Sequence, residues 1–414
     1  MNEQILYRIC VIFAVVSIIN AASLDSQILE DFKSLMDVSR SINQFSNKFY
    51  EALSKDESKN IITSPLSAAM VLRMVAYGAR GKTSNELSSI LHFNIDDESQ
   101  KRGVQNLITE LNDVKNVNLT LANKVFLAKG LKVNPEYLRI TETIFHSVTE
   151  TVDFTNSLAA SNSINNWCER QTHSHIKDIV KPDDFDAATA LVLVNAVYFK
   201  GNWLNKFNKN ETQLRNFYVD SQTVKKVPMM HRLGSYRYGF LPEVDARFIE
   251  LPYESSDDSD LLKMVIILPN NIDGLPKVEA SLHKFNLYQY LSGEFHEVDL
   301  FMPKFKIESS MDLKDPLEAM GLIEIFRDTA DFTGIVDSPP LKVGKVIQKA
   351  FIEVNEEGSE ATVATGLQFT TFSIQIPFEL RIDHPFYYSI IKQDGPNNGV
   401  VLFHGRCTDV ESSV

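Results

Sequence analysis

The chain has few cysteines and none of the short motifs that hold metals. Three cysteines occur in 414 residues, and Cys10 falls in an apolar N-terminal segment that we expect to be removed, which leaves Cys168 and Cys407. Whether these two form a disulfide is left open, because a core of this size does not need one. Without a CxxC pair, an HExxH motif or a cluster of His and Cys, the sequence predicts no metal site and no cofactor.

The sequence is also poor in positive charge. Its 41 Lys and Arg residues stand against 54 Asp and Glu residues, which gives a formal net charge of -13 at pH 7. The longest basic clusters are the pairs Lys101-Arg102 and Lys225-Lys226. Nucleic acids and anionic membranes both favour dense Lys and Arg, so we expect neither as a partner.

The one long apolar run lies at the N-terminus. Arg8 precedes an uncharged run over residues 9–19, and small residues follow at 20–23. This is the pattern of a cleaved secretory signal, because a membrane span needs about 20 apolar residues. We therefore predict a signal peptide at 1–22, an N-terminal lead at 23–39 and a secreted, extracellular protein.

Two sequence triplets agree with secretion. Asn118-Leu119-Thr120 and Asn210-Glu211-Thr212 are acceptors for N-glycosylation, which takes place in the secretory pathway. The sequence therefore predicts a glycoprotein that carries its sugars at Asn118 and Asn210.

Hydrophobic periodicity predicts helices early in the mature chain and strands later. Apolar residues at helical spacing indicate a helix over 40–54, Ser64-Pro65 indicates the start of a second, and residues 158–172 indicate another. Thr83 and Glu86 have the spacing of a capping box. Strands are predicted from apolar, β-branched runs at 189–201, 264–269, 298–307, 349–355, 386–393 and 399–407. This mixture, without a linker or repeat, predicts a single α+β domain over 40–414.

The chain lacks the patterns of a hydrolase. It has no GxSxG motif, and its histidines are scattered without a recognisable nucleophile beside them. The acidic residues are numerous, but no pair of them stands out as an acid and base for glycoside chemistry. A secreted hydrolase is therefore disfavoured, and the sequence predicts a protein that is not an enzyme.

Six segments, in order along nearly the whole mature chain, resemble the serpin family and look similar to serpins of arthropod body fluids. They are "NIITSPLSAAMVLRMVAYGARGKTSNEL" (60–87), "NAVYFKGNW" (195–203), "MPKFKIESSMDLKDPLEAMGL" (302–322), "ADFTGI" (330–335), "VIQKAFIEVNEEGSEATVAT" (346–365) and "DHPF" (383–386).

The resemblance implies the serpin fold, with three β-sheets, eight or nine helices and an exposed reactive-centre loop at about 356–380. In that family a serine protease cuts the loop, remains bound to it as an acyl-enzyme, and is trapped when the loop inserts into the central sheet. The implied partner is thus a protease, and we expect a monomer. The start of the loop is its hinge, formed here by Glu356, Glu357, Gly358, Ser359, Glu360, Ala361, Thr362, Val363, Ala364 and Thr365.

The hinge is built to become a strand. Gly358 is permissive for the backbone bend, and the fifteen residues to Phe372 would form a strand of roughly 50 Å. If Ser359 faces the core after insertion, Val363 must be buried as well, whereas Glu360 and Thr362 face solvent. Val363 is larger than the family prefers there, so a non-inhibitory serpin acting as a carrier, storage or chaperone-like protein remains the alternative.

The spacing of the family places the reactive bond between Phe372 and Ser373. A large aromatic residue before the bond suits a chymotrypsin-like protease, and no basic residue lies between Gly358 and Glu379 to attract a trypsin-like one. Counting backward from "DHPF" points instead to Ile374 and Gln375, which would suit an elastase-like protease. The sequence does not decide between these two candidate reactive bonds.

The resemblance also implies a polar cluster beneath the central sheet. Asn195 is the polar residue in the middle of the otherwise apolar stretch 190–199 and needs partners, because an unsatisfied buried amide costs about 1–3 kcal/mol. In the family it belongs with Ser64 and Ser67 to a set that controls sheet opening, and Gln348 stands where many members have a titratable histidine. We call these four residues the sheet-opening cluster. The mixed charge after residue 92 does not support activation by polyanions.

Overall fold

A computed structural model describes residues 3–55, 59–114, 117–254, 261–284, 294–357, 376–393 and 399–410, with side chains from residue 28 onward except at 261 and 284. Within these residues the chain has eight α-helices. They are α1 Glu3–Leu53, α2 Pro65–Ala76, α3 Gly81–Leu91, α4 Glu98–Asp113, α5 Pro135–Phe145, α6 Ser157–Gln171, α7 Leu275–Glu279 and α8 Lys314–Ala319. None of the described helices has the length and apolarity that a membrane crossing requires.

The start of α2 and the position of α6 agree with the sequence predictions. The Ser64 side chain accepts a hydrogen bond from the Ser67 N–H at 3.2 Å, and Pro65 occupies the first turn, where its missing N–H costs nothing. The helix predicted at 40–54 is the last part of α1, whose buried face already begins at Ser34 and Leu35.

The capping box predicted at Thr83 and Glu86 is wrong. Helix α3 begins at Gly81, and its N-cap residue makes no side-chain hydrogen bond. Glu86 instead accepts from the N–H groups of Ile323 and Glu324, and Thr83 accepts from Asp331 N–H. Both side chains therefore tie α3 to a distant segment, because long-range partners compete with local caps for the same polar atoms.

Fourteen strands are described. They are β1 Ile61–Thr63, β2 Val117–Ala128, β3 Glu150–Val152, β4 Leu191–Gly201, β5 Gln213–Tyr218, β6 Val224–Leu241, β7 Ala246–Pro252, β8 Leu261–Pro269, β9 Phe295–Pro303, β10 Phe305–Asp312, β11 Lys345–Val354, β12 Phe378–Arg381, β13 Phe386–Gln393 and β14 Gly399–Cys407. The predicted strand 298–307 is two strands, broken at Lys304, and its halves lie in different sheets.

Five strands form a sheet in the order β10-β11-β4-β2-β3. Nine strands form the rest, in the order β1-β14-β13-β8-β7-β6-β9-β12 with β5 beside β6. Because β6 is 18 residues long, its first part pairs with β5 and β9 and its last part with β7, so the nine strands behave as two sheets that share one strand. The predicted α+β fold with three sheets is confirmed.

The five-stranded sheet lies between two hydrophobic clusters. The larger cluster packs α1 and α2 against one face, and the smaller one packs α6 against the other, with Ile164 and Trp167 over Val192 and Val194. Strand β4 is buried on both faces, as its nearly all-apolar run predicted. This central strand is what positions the candidate site.

Candidate functional site

Strands β4 and β11 lie side by side in the middle of the five-stranded sheet and run parallel. Their register extends from Lys345 opposite Val192 to Ile352 opposite Phe199. A strand inserted between them from the end of β11 would run antiparallel to both, and antiparallel pairing is slightly more stable per residue. The sheet thus has a parallel seam that a further, antiparallel strand could join only if β4 and β11 separated.

Aromatic rings cross this seam on the α6 face. Tyr198 of β4 stacks on Phe351 of β11 with ring centroids 5.5 Å apart, and His175 stacks on Tyr198 at 3.9 Å. Neighbouring strands lie about 4.8 Å apart, so an inserted strand would roughly double the separation of β4 from β11 and part the two stacked rings. The Tyr198–Phe351 pair therefore holds the seam closed.

The opposite face of the seam carries the sheet-opening cluster, and the structure brings all four predicted residues together. Gln348 Nε2 donates to Asn195 Oδ1 at 2.7 Å, which joins β11 to β4 directly. Asn195 Nδ2 donates to Ser67, and Ser64 N–H donates to Gln348 Oε1 at 3.1 Å. The amide of Asn195, fully buried, has the partners that its position demanded.

Two members of this network were missed by the sequence reasoning. Thr63 Oγ1 donates to Gln348 Oε1 at 2.5 Å, and Asn123 Oδ1 accepts from both Ser67 and Asn195. Asn123 sits opposite Asn195 in the β2–β4 register. Only the strand pairing shows this, because no local pattern in "LANKVF" separates a network residue from a surface asparagine.

The hinge begins where β11 ends, and its first residue is anchored. Glu356 is 4% exposed, its Oε2 lies 2.9 Å from Lys304 Nζ, and its Oε1 accepts from Thr212 Oγ1 at 2.7 Å. Its backbone carbonyl accepts from Phe207 N–H at 3.0 Å. Burial alone would favour the neutral acid, but the hydrogen bonds from Lys304 and Thr212 outweigh it, so the pKa of Glu356 is lowered.

The residues on either side of Glu356 are held more loosely. Trp203 Nε1 donates to the carbonyl of Asn355 at 2.9 Å, and Glu357 forms an ion pair with Lys209 in which both side chains are well exposed. The remaining hinge residues, Gly358 to Thr365, and both candidate bonds, Phe372–Ser373 and Ile374–Gln375, lie outside the described residues.

The far end of the loop is attached to a different sheet. Ile376 is 86% exposed, and β12 begins two residues later and pairs in parallel with β9, with Phe378 opposite Val298. The loop therefore connects the seam strand β11 in one sheet to the edge strand β12 in another.

The predicted modification sites occupy exposed positions. Asn118 is exposed on β2, and Asn210 is exposed in a short 3-10 turn whose Thr212 anchors Glu356. Cys168 and Cys407 are both free and buried, which answers the question of a disulfide between them. Burial raises the pKa of the Cys168 thiol to about 12, so neither its position nor its ionisation suits a reactive thiol.

Comparisons with known proteins identify the same family over most of the chain. A family model described as Serpin (serine protease inhibitor) matches residues 40–410. Antitrypsin of Bombyx mori is 35% identical over 362 residues, which cover 86% of this chain and 90% of that protein. Antichymotrypsin-2 of Bombyx mori is 36% identical over 361 residues, with coverage of 86% and 94%.

A solved structure matches as well. The crystal structure of Serpin48 from the insect Tenebrio molitor aligns with a TM-score of 0.80 at 30% identity, and the alignment covers 91% of this chain and 98% of that one. The family is described by protease inhibition and not by catalysis. With a five-stranded sheet that has a parallel seam, a hinge that leaves it and these matches over most of its length, the chain belongs to the serpin family.

Proposed function

We propose that this protein is a secreted suicide-substrate inhibitor of a chymotrypsin-like serine protease. The observation that carries the proposal is the parallel seam between β4 and β11, which continues directly into the hinge. A cut loop would add to this seam as an antiparallel strand once β4 and β11 separate, and its main-chain groups would then pair on both sides.

The chemistry begins as ordinary proteolysis. The serine Oγ of the protease attacks the carbonyl carbon of Phe372, the bond to Ser373 breaks, and the new amino group of Ser373 leaves with the proton taken from the serine. The protease is then bound to Phe372 as an ester. Residues 358–372 insert into the seam and carry the protease with them before water can hydrolyse that ester.

Phe372 sets the specificity in this proposal. An aromatic side chain fills the apolar primary pocket of a chymotrypsin-like protease, and the loop offers no Lys or Arg to a trypsin-like one. The two Bombyx mori relatives carry the names Antitrypsin and Antichymotrypsin-2, so similarity to them does not identify the target protease. In this proposal the target is inferred from Phe372.

The test is a gel and a mass measurement. Incubation with chymotrypsin should give a covalent complex that survives SDS, and mass spectrometry should find a released peptide that begins at Ser373. Phe372→Arg should move complex formation from chymotrypsin to trypsin, whereas Ile374→Arg should leave complex formation with chymotrypsin unchanged.

Other results would select the alternatives. A released peptide that begins at Gln375, formed by an elastase-like protease, would keep the mechanism and replace the specificity. Cleavage by every protease without a covalent complex would reject inhibition and favour a non-inhibitory serpin. Secretion and the sugars at Asn118 and Asn210 are tested by expression in insect cells, followed by N-terminal sequencing and glycosidase treatment of the medium.

A further inference from the structure

A histidine on strand β6 lies between two carboxylates that come from different segments of the chain. His231 Nδ1 lies 2.9 Å from Glu211 Oε2, and His231 Nε2 lies 2.7 Å from Asp299 Oδ1. Glu211 belongs to the short 3-10 turn before β5, and Asp299 belongs to β9, which pairs with β6. The ring also stacks on Phe301, its register partner on β9, with centroids 4.6 Å apart. His231 therefore joins the turn to the sheet through both of its ring nitrogens.

These two contacts determine how many protons the ring carries. A neutral imidazole has one N–H, so its other nitrogen would turn a lone pair toward a carboxylate oxygen, which is itself only an acceptor. Histidine binds a proton more tightly than a carboxyl group does, so the second hydrogen belongs on the ring rather than on Glu211 or Asp299. Only the imidazolium form of His231 donates to both carboxylates at once.

The charges around the ring agree with an imidazolium. Arg215 of β5 and Arg381 of β12 lie against Phe301, with their guanidinium carbons 4.5 Å and 5.0 Å from its ring centroid, and Arg381 is paired with Glu379 at 2.9 Å. Among the described residues, the charged groups that contact His231 or Phe301, together with their ion-pair partners, are Glu211, Asp299, Glu379, Arg215 and Arg381. Three carboxylates stand against two guanidinium groups, so one proton on His231 brings the formal charge of this set to zero.

The turn that His231 holds is closed by its own hydrogen bonds. Asn208 Nδ2 donates to Glu211 Oε1 at 3.1 Å, and Asn208 Oδ1 accepts from the Asn210 N–H at 3.0 Å. The Glu211 N–H donates to the Asn208 carbonyl at 2.9 Å. One carboxylate oxygen of Glu211 thus closes the turn while the other reaches His231, so the turn moves as a unit with the side chain that the ring holds.

The same turn contacts the hinge at two successive residues. Thr212, which follows Glu211, donates to Glu356 Oε1 at 2.7 Å. Lys209, at the start of the turn, forms the ion pair with Glu357. A turn released from β9 would withdraw both partners from the hinge together, so the state of His231 is linked to the hinge through four consecutive residues.

We propose that His231, protonated on both ring nitrogens, is a positioning residue for the hinge. Its imidazolium clamps the 209–212 turn to β9, and loss of one proton releases the turn and weakens the anchors of Glu356 and Glu357. A hinge with weaker anchors has fewer contacts to break on its way into the seam, so the loop inserts faster at alkaline pH. The statement about insertion rests on the proposed inhibitory function, and the statement about the clamp does not.

The clamp is tested by hydrogen exchange of the whole mature protein at pH 6 and pH 8.5, which bracket the ordinary titration of histidine at about 6.5. After correction for the chemical rate of exchange, amides at 207–212 should be roughly twofold to fivefold better protected at pH 6, the range expected for partly exposed ion pairs. His231→Gln should show the weaker protection at both pH values.

Asp299→Asn provides the sharper variant. A neutral His231 can then donate from Nδ1 to Glu211 and accept at Nε2 from the new amide, so protection should stay high at both pH values. The matched control is His296→Gln, because His296 lies on the same strand β9 and contacts Tyr238 and Phe378 instead of the turn. This control should keep the pH dependence of wild type. Equal protection of wild type at the two pH values, or a full pH dependence in Asp299→Asn, would overturn the clamp.

Inhibition is compared between variants at one pH at a time, so that the pH dependence of the protease cancels. With chymotrypsin, the ratio of inhibitor cleaved and released to inhibitor held in the covalent complex measures ester hydrolysis against insertion. At pH 6 this ratio should be roughly twofold to fivefold lower for His231→Gln than for wild type, and at pH 8.5 it should be the same for both.

The two parts of the proposal fail separately. Complexes formed with the same ratio in wild type and His231→Gln at pH 6 would overturn the link from the clamp to insertion. A wild-type protein that shows the expected exchange pattern but forms no complex with any protease would keep the clamp and reject only the inhibitory function.

Discussion

At the scale of single residues, Glu356 is the anchor of the hinge. Its buried carboxylate joins the end of β11 to Lys304 after β9 and to Thr212 before β5, so one side chain links three segments of the chain. Because the pKa of Glu356 is lowered, its contribution to stability is present above the ordinary carboxyl pKa and is lost as the pH falls through the lowered value.

We predict that Glu356→Gln destabilises the protein by about 1–2 kcal/mol at pH 7, because Lys304 loses its charge partner while the contact to Thr212 can persist. Urea unfolding of the uncut protein measures this. The matched control is Glu357→Gln, whose ion pair with Lys209 is exposed to solvent and should matter far less. At a pH well below the ordinary Glu value of about 4.3, the difference between wild type and Glu356→Gln should shrink. A difference that persists there would show that charge is not what holds the hinge.

His404 is a second residue with a consequence for pH. It is fully buried on β14, with Ser46 Oγ at 2.5 Å from Nε2 and Tyr387 OH against Nδ1, and burial lowers its pKa to about 3. The unfolded chain binds a proton at this histidine below about pH 6.5, whereas the folded chain does not. Stability due to His404 is therefore present above pH 6.5 and is lost progressively as the pH falls toward 3.

We predict that His404→Gln, although less stable at pH 7, loses less stability on acidification than wild type does. Between pH 7 and pH 4, the unfolding free energy of wild type should fall by on the order of 2–3 kcal/mol more than that of His404→Gln. Urea unfolding at several pH values provides the comparison, with His283→Gln, an exposed histidine, as the control. Parallel curves for wild type and His404→Gln would mean that His404 is protonated in the folded protein.

At the scale of elements, the β4–β11 seam is closed by different interactions on its two faces. The amides of Gln348 and Asn195 join the strands on one face, and the rings of Phe351 and Tyr198 join them on the other. Both pairs are register partners, so opening the seam separates the members of each pair at once. The seam is therefore weakened by removing either pair.

We predict that Phe351→Leu speeds seam opening. An aromatic pair contributes about 0.5–1.5 kcal/mol beyond its buried area, so amide exchange across the register should rise by roughly twofold to tenfold. Hydrogen exchange of the uncut protein measures the effect. The control is Phe154→Leu, which removes a ring from the Phe154–Phe185 pair in the same cluster but not across the seam. Equal acceleration by both substitutions would assign the effect to general loosening of the cluster.

At the scale of the whole molecule, the described five-stranded sheet has β4 directly beside β11, so the proposed insertion requires these two strands to separate. Inserting residues 358–372 would add a strand paired on both sides, and at about 1 kcal/mol net per hydrogen bond the gain is on the order of 10 kcal/mol. Under the proposed mechanism, the arrangement with β4 beside β11 is therefore the less stable of the two once the loop is cut.

We predict that a single cut in the loop raises the Tm by roughly 10 °C, because a gain on the order of 10 kcal/mol is divided by an unfolding entropy of about 0.8 kcal/mol/K for a chain of this length. Differential scanning calorimetry before and after limited chymotrypsin treatment tests this. Val363→Asp buries a charge in the inserted strand and should abolish the rise while leaving the Tm of the uncut protein unchanged. No rise in the cut wild type would reject insertion and favour the non-inhibitory alternative.

The sequence by itself determined the family, the α+β class, the buried central strand β4, the serine cap of α2 and the identity of the sheet-opening cluster. These depend on local periodicity, on capping chemistry and on residues that occur in a recognisable order. The same local rules were wrong at Glu86, whose side chain is claimed by partners far along the chain. They also missed the strand break at Lys304, because the two halves of that run join different sheets and a local pattern does not show strand partners.

Only the tertiary structure decided which groups meet. It placed Lys304 and Thr212 on Glu356 and extended the amide network to Asn123. Neither Asn123 nor Thr212 stands out in the sequence, because a surface asparagine and a network asparagine have the same neighbours along the chain. Strand register and burial, which are properties of the whole fold, are what distinguish them.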